Sequence, residues 1–411
     1  MIFLLVKLNS LNIYGVTIMK RITVLGNFSG RNAGDNAILG NLMDDISAKF
    51  IDMKYLVPTF NAGFVRKHFS THNIEALNLM PWNGAIKIFG WPTYKAMLNT
   101  DMVLITDNIL FDRKFFNPLF NYLSTIALFA PLCKKRRIPI IPYNASLGPY
   151  TTERGRAAMQ KILDASPFLS LRDEMSRETL DKNKFKYPKV IIGADCAINT
   201  RIPNDEQLNK IITKEGLFQN PKGTLSFNIN AYIDTWVKLV EGGESITRGS
   251  FVKLIGETLD NIIREIDVDI MFTTTQIMDY KIVNETLQHV KNKSRVKVIG
   301  NAKYDYKVIT GLLSKCGLHV GMRTHSKILA AAALTPMVTI NAYPKSVGFV
   351  RTLGMDNWMI NFSDLKVETI TNIIKSAWDK REELKKKLIP RVKEEQQKAK
   401  AAVDLLNEFL K

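Results

Sequence analysis

Short β-branched runs alternate with longer stretches of helical period along almost the whole chain, a pattern that predicts βαβ units and parallel sheets. In the first half the expected strands are ITVLG (22–26), KYLVP (54–58), DMVLIT (101–106), IPIIPY (138–143), FLSLR (168–172) and KVIIG (189–193). A polar, strand-free interval follows, from residue 198 through NPKG at 220–223. The alternation then restarts with TLSFNI (224–229), DIMFT (269–273), VKVIG (296–300), LHVGM (318–322) and MVTIN (337–341). Two α/β domains are expected, over residues 19–205 and 206–385, with a helical tail over 386–411. In that last region apolar spacing runs on from Ser363, Pro390 is expected to break the helix, and a second amphipathic segment reaches Leu410.

The first 18 residues start apolar, but Lys7, Asn9, Ser10 and Asn12 stop the run short of the roughly 20 residues a membrane span needs. They read as an upstream extension outside the fold, since MKRITVLG from Met19 resembles an ordinary chain start feeding a first strand. At 411 residues the chain exceeds what one core usually organises, which agrees with two domains. Its net charge of +18 points to an anionic partner or to a generally basic surface. No basic arm interleaved with aromatics is present, so a nucleic-acid partner is not expected. Cys133, Cys196 and Cys316 are far apart, without CxxC spacing, as in reduced cytoplasmic proteins.

The segment GLHVGMRTHSKILAAAALTPMVTI (317–340) reads as strand, turn, helix and strand, and it sets Arg323, Thr324 and His325 in a βα turn. Open parallel sheets bind ligands at such carboxyl ends. A helix N-terminus favours an anion, and Arg323 would add a clamp. The same field disfavours a second positive charge, so His325 is expected to titrate near or below neutral. The competing reading makes Arg323 a structural ion pair and His325 a cap. Lys345, after the next strand, either shares the anion or is a solvated loop lysine. Arg172, just past FLSL, either meets an anion or pairs with Asp173 or Glu174.

The loop GNFSGRNAGDNAIL (26–39) follows the first strand, and its glycines allow close backbone approach. Asp35 there would cap the helix or accept a hydrogen bond from a sugar hydroxyl. His68 and His72 lie four apart but lack the Glu of an HExxH, so no metal site is expected. LFNYLSTIALFAPLCKKRR (119–137) ends in four bases; it is read as a buried helix leading to a solvated loop, with contact to anionic lipid as the alternative.

Together GNFSGRNAGDNAIL, SLGPY (146–150), LSLRDEMSRETL (169–180), IIGADCAI (191–198) and VGMRTHSKILAAAALTPMVTINAYPKSVGF (320–349) resemble the polysaccharide pyruvyl transferase family over most of residues 19–354. The resemblance implies an α/β, GT-B-like fold of two Rossmann-like domains facing across a cleft. It implies transfer of pyruvate from phosphoenolpyruvate to a sugar or lipid-linked saccharide, usually as a cyclic ketal, in the cytoplasm or at the inner membrane face, with no metal or other cofactor. It makes Arg172, Arg323, Thr324 and Lys345 donor contacts and His325 the catalytic acid, assisted by Arg323. The loop with Asn27, Gly34, Asp35 and Asn36 then faces the acceptor. The family commonly carries a glycine triplet after the third strand of the first domain, where this chain reads Thr106-Asp107-Asn108. Two other functions remain open on the residues alone: a glycosyltransferase with a nucleotide-sugar donor, and a basic binding protein without catalysis.

Overall fold

The β-branched runs fold as strands, and every pairing between the described strands is parallel. The computed structural model describes residues 19–78, 90–112, 122–234, 246–341 and 345–410; the expected extension at 1–18 lies outside the described residues. The first half forms β1 (Lys20–Leu25), β2 (Met53–Thr59), β3 (Ile74–Asn78), β4 (Met102–Ile105), β5 (Leu110–Asp112), β6 (Ile140–Pro142), β7 (Leu147–Tyr150), β8 (Phe168–Leu171) and β9 (Lys189–Ile192). The second half forms β10 (Thr224–Asn228), β11 (Asp269–Thr274), β12 (Val296–Gly300), β13 (Leu318–Gly321), β14 (Met337–Asn341) and β15 (Met359–Asn361).

One sheet runs β3-β2-β1-β4-β6 and the other β12-β11-β10-β13-β14-β15, with β5-β7 and β8-β9 as separate pairs. A bridge between Ala145 and Leu171 carries the first sheet on toward β8. In each sheet the strand order reverses at one place, between β1 and β4 and between β10 and β13. Loops leaving the carboxyl ends of neighbouring strands diverge there and open a crevice. β1, β4, β10 and β13 are buried almost throughout, as strands covered on both faces must be.

The polar interval before the second sheet holds no strand, as its composition predicts. It does hold a helix, Asp205–Glu215, capped by Asn204 and ended by Gly216 in the left-handed region. The expected break at Pro390 does not occur: one helix runs Arg381–Asp404 straight through it. Proline removes a single helical hydrogen bond, and the helix is held on both sides of that position by buried Leu384, Leu388, Val392, Ala399 and Val403. This helix returns to the first sheet's half of the molecule. Asn144 Nδ2 donates to Ala399 O at 2.8 Å, Gln396 Nε2 to Ile198 O at 3.2 Å, and Lys49 pairs with Asp404.

Leu388 is fully buried in this strap. Leu388→Ala is therefore expected to cost about 2–5 kcal/mol in urea unfolding, through lost transfer energy and the cavity left behind.

Candidate active site

Both crevices contribute to one site. From the first sheet come the loop after β1, with Asn27 to Asn36, and the turn after β4, with Asp107; Arg172 follows β8 and Asp195 follows β9. From the second come Asn228 at the end of β10 and Tyr232 after it, Asp279 beyond β11, and Arg323 to His325 after β13.

The Arg323–His325 turn is set by its neighbours. Asn228 Oδ1 accepts from Arg323 N at 3.0 Å, while Asn228 Nδ2 donates to Thr273 O at 2.8 Å, so one amide ties three strands' ends together. Beneath it His319 bridges Ser226 at 2.9 Å and Ser326 at 3.1 Å. Burial pushes His319 down to about 3, so it stays neutral, a structural pin with no part in proton transfer. Arg323 occupies the cap position of the helix Thr324–Ala332, with Thr324 as its first residue and His325 in its first turn.

Arg323 is held by a two-pronged ion pair to Asp279, with Nη2 at 2.6 Å from Oδ1, and its guanidinium lies 5.2 Å from the centre of the Tyr232 ring. Asp279 is brought to this turn from 44 positions away in the chain. A ligand anion reaching Arg323 must share it with Asp279. Arg172 is similarly engaged, with Nη1 2.6 Å from Asp195 and the side chain 3.7 Å from both Asp107 and Asp173. Asp173 is also the cap of the helix Glu174–Lys182, accepting from Ser176 N. Lys345 opens the helix Lys345–Thr352, and its side chain lies outside the described residues.

His325 stands where the two halves meet. Its Nε2 is 3.5 Å from Asp195 Oδ2 and its Nδ1 3.9 Å from Asp35 Oδ1, ion-pair distances beyond ordinary hydrogen bonding. The expected depression of its pKa is not found. Burial does work against the charge, but Asp195, Asp107 and Asp35 outweigh it and raise the imidazolium above the ordinary 6.5. Asp195 is also buried, yet Arg172 and His325 hold its carboxyl down at about 2. Asp35 goes the other way: burial, with Asp107 beside it, pushes it well above 3.8. Asp35 is not the helix cap; Asn32 fills that place, accepting from Gly34 N at 2.9 Å. Asp35 instead accepts from Asn27 Nδ2 at 3.2 Å.

Gly34 is required by contact. A Cβ there would fall 2.0 Å from His325 Cγ, so the loop can lie on the imidazole only as glycine. Asn36 lines a cavity between the two halves. Asp107 has φ +57°, a left-handed conformation that Asp tolerates and glycine adopts freely. The backbone demand that suits glycine is thus kept, and a carboxylate is added to the site. Asp35, Asp107 and His325 offer ligand atoms all within 4.8 Å, a spacing a cation could use. Arg172 already brings a fixed positive charge to Asp107. His68 and His72 are not a pair: His72 bonds Asp44 at 2.9 Å and His68 stacks on Phe64.

A family model described as polysaccharide pyruvyl transferase matches residues 32–342, more than half of the chain. The chain belongs to the polysaccharide pyruvyl transferase family. It is 24% identical over 408 residues to the amylovoran biosynthesis protein AmsJ of Erwinia amylovora, covering 91% of this chain and 96% of that protein. Among solved structures it is similar to the UDP-GlcNAc 2-epimerase of Neisseria meningitidis bound to UDP-GlcNAc, with TM-score 0.64 and 15% identity over 95% of this chain and 100% of that one. It is also similar to HepE of Anabaena in complex with UDP, with TM-score 0.59 and 14% identity over 95% and 99% of the two chains. At these identities the structures establish the fold, which is GT-B-like with two parallel sheets.

The family member's charged His325 contributes stability that is full below 6.5 and is lost as pH rises through its raised folded value. Gly34→Ala must displace the ring from its carboxylates. Histidine titration by NMR is expected to show the His325 pKa moving back toward 6.5 in that variant, with His319 still untitrated above pH 5.

Proposed function

We propose that the protein transfers pyruvate from phosphoenolpyruvate to a sugar hydroxyl pair in a surface-polysaccharide or glycoconjugate precursor, leaving a cyclic ketal. The observation that carries this reading is His325, whose pKa is raised above 6.5 chiefly by Asp195, two residues from Arg323 and against the first-domain loop. Membership of the family supports the pyruvyl group as the unit transferred.

The chemistry needs an acid whose charged form persists at neutral pH. His325 gives its proton to the methylene carbon of phosphoenolpyruvate, and cationic character develops at the carbon bearing carboxylate and phosphate. A sugar hydroxyl adds there and its proton is taken up by the carboxylate–imidazole cluster. Phosphate leaves with the bonding pair of its C–O bond, a second hydroxyl closes the ring, and its proton departs on the phosphate, the first hydroxyl's proton having already restored the cluster. Arg172 and Arg323, with Lys345 after β14, would orient the two anionic groups, and Thr324 would meet one of them at the helix N-terminus. No metal or redox cofactor enters these steps.

The site of action in this reading is the cytoplasmic face of a membrane carrying the acceptor. All three cysteines are buried and unbridged, as suits a reducing compartment. No helix among the described residues is long and apolar enough to cross a membrane. The helix Tyr122–Lys135 exposes Leu128 and Leu132 beside the basic residues 134–137, and the neighbouring helix exposes Trp91 under Lys95. Leucines and an indole rimmed by cations suit an anionic lipid surface.

His325→Gln is expected to lower the rate of phosphate release by at least ~100-fold, the usual range for loss of a general acid. The wild-type alkaline limb should fall above pH 6.5, since activity is lost as His325 gives up its raised proton. Absence of acceptor-dependent phosphate release and of a new ketal methyl signal with every hexose acceptor would overturn the reaction. Thermal shifts comparing phosphoenolpyruvate with nucleotide sugars should favour phosphoenolpyruvate. In vesicle sedimentation, a Leu128→Ser/Leu132→Ser variant should bind phosphatidylglycerol vesicles more weakly than the wild type while keeping its activity on a soluble acceptor.

A further inference from the structure

A cavity of about 340 Å³ lies between the two halves, on the other face of the helix whose first turn carries Gly34. Its volume falls in the range of small-ligand pockets. One wall comes from Gly30, Ala33, Asn36, Phe64 and His68, the other from residues 301–306. Three features of that lining identify what it would hold.

The first is hydrogen bonding. Asn36 Oδ1 and Asn301 Oδ1 are both buried and have no hydrogen-bond partner among the described residues. Asn36 is 95% buried, with 5% relative exposure. The orientation of Asn301 is fixed, because its Nδ2 donates to Arg31 O at 2.8 Å. Buried acceptors of this kind are costly unless a donor meets them. The second is the aromatic wall. Phe64 and His68 stack at 4.8 Å, and Tyr306 stands 6.1 Å from His68, so the same lining that holds the two asparagines carries three rings.

The third is charge. Lys303 at the rim pairs with Glu215 at 2.5 Å, and Tyr304 Oη donates to the same carboxylate at 2.6 Å. Asp305 is occupied as a helix cap, accepting from Val308 N at 2.8 Å. The charged groups of the lining are thus engaged within the chain, and the two unpaired atoms are neutral acceptors. An anionic ligand gains little here. A neutral ring with hydroxyl donors on its edge and C–H groups on its face fits both the acceptors and the aromatic wall.

We propose that this cavity is a saccharide subsite, holding one neutral pyranose residue of the acceptor beside the residue that receives pyruvate. Asn36 and Asn301 accept from its hydroxyls, and Phe64 with His68 meets its ring. The helix Ala33–Ser47 couples the two places, since Gly34 lies on His325 and Asn36 lines the cavity. This subsite rests on the sugar-acceptor reading above and adds to it a location and a preference for uncharged sugar rings.

The test uses the full chain and saturation-transfer difference NMR with methyl pyranosides of galactose, glucose, mannose and N-acetylglucosamine. At least one should receive saturation, and inorganic phosphate should not displace it. Ala302 is exposed at the cavity's edge, so Ala302→Trp can fill the opening without disturbing a core; it should weaken binding at least tenfold. Phe64→Ala should do the same while far-UV circular dichroism is unchanged. The thermal shift given by phosphoenolpyruvate should persist in both variants. No transfer to any of the four sugars, or equal transfer to wild type and Ala302→Trp, overturns the subsite. Loss of the phosphoenolpyruvate shift in the wild type with sugar binding intact would instead overturn the donor assignment and leave the subsite standing.

Discussion

The run of charge from Arg172 through Asp195 to His325 is the constraint on which the site depends. It crosses from the first sheet's half to the second's, and all three side chains are at most 12% exposed. Placing ions there has a large desolvation cost, and attraction offsets it only when partners are close and plentiful. Asp195 meets that condition, accepting from Arg172 and from Ala197 N while facing His325. Removing Asp195 takes from Arg172 its closest partner, at 2.6 Å, and from His325 the nearest carboxylate. The relative position of the two sheets at this point is therefore tied to the ionisation of the cluster.

The architecture explains why these groups converge. Each sheet reverses its strand order once, and each reversal opens a crevice at strand carboxyl ends. Facing the two crevices toward each other lets short turns supply all the chemistry, while the sheets behind them stay apolar. The strap helix Arg381–Asp404 reinforces the pairing from behind. It is anchored to the second sheet's side through the preceding helix and hydrogen-bonds to Asn144 and Ile198 on the first. Gly34 and Asn301 show the same closeness from the front, one under the imidazole and one donating to Arg31 O across the halves.

What the sequence disclosed followed from local signals. Buried parallel strands are runs of Val, Ile and Leu, so β1, β2, β4, β6 and β8 to β14 were legible within a few residues. β3, β5, β7 and β15 were not, because IEALN, LFD, LGPY and MIN are short, polar at alternate positions or interrupted by proline. Pro390 misled because a local rule yielded to burial on both sides. Arg323 and His325 stood out at a helix start, whereas Asp107 in a turn and Asp195 and Asp279 at helix starts are single acids whose partners lie 23 to 65 positions away or beyond. The sign of the His325 shift is hidden for the same reason: the helix field is local, and the carboxylates that outweigh it come from the other domain.

Asp107 sharpens the electrostatics of the proposed reaction. With Asp35 pushed toward its neutral form, Arg172 and His325 face Asp195 and Asp107, and the opposing charges roughly cancel. A donor carrying phosphate and carboxylate then adds negative charge to a cluster that has little excess positive charge, which favours further protonation of His325 and Asp35. Binding linkage is reciprocal, so a protonated cluster must in turn hold the donor more tightly. In the proposed reaction, the arrival of such a donor would thus stabilise the acid assigned to His325. Asp107 also raises the resting His325 pKa, so part of that protonation is in place before a donor arrives.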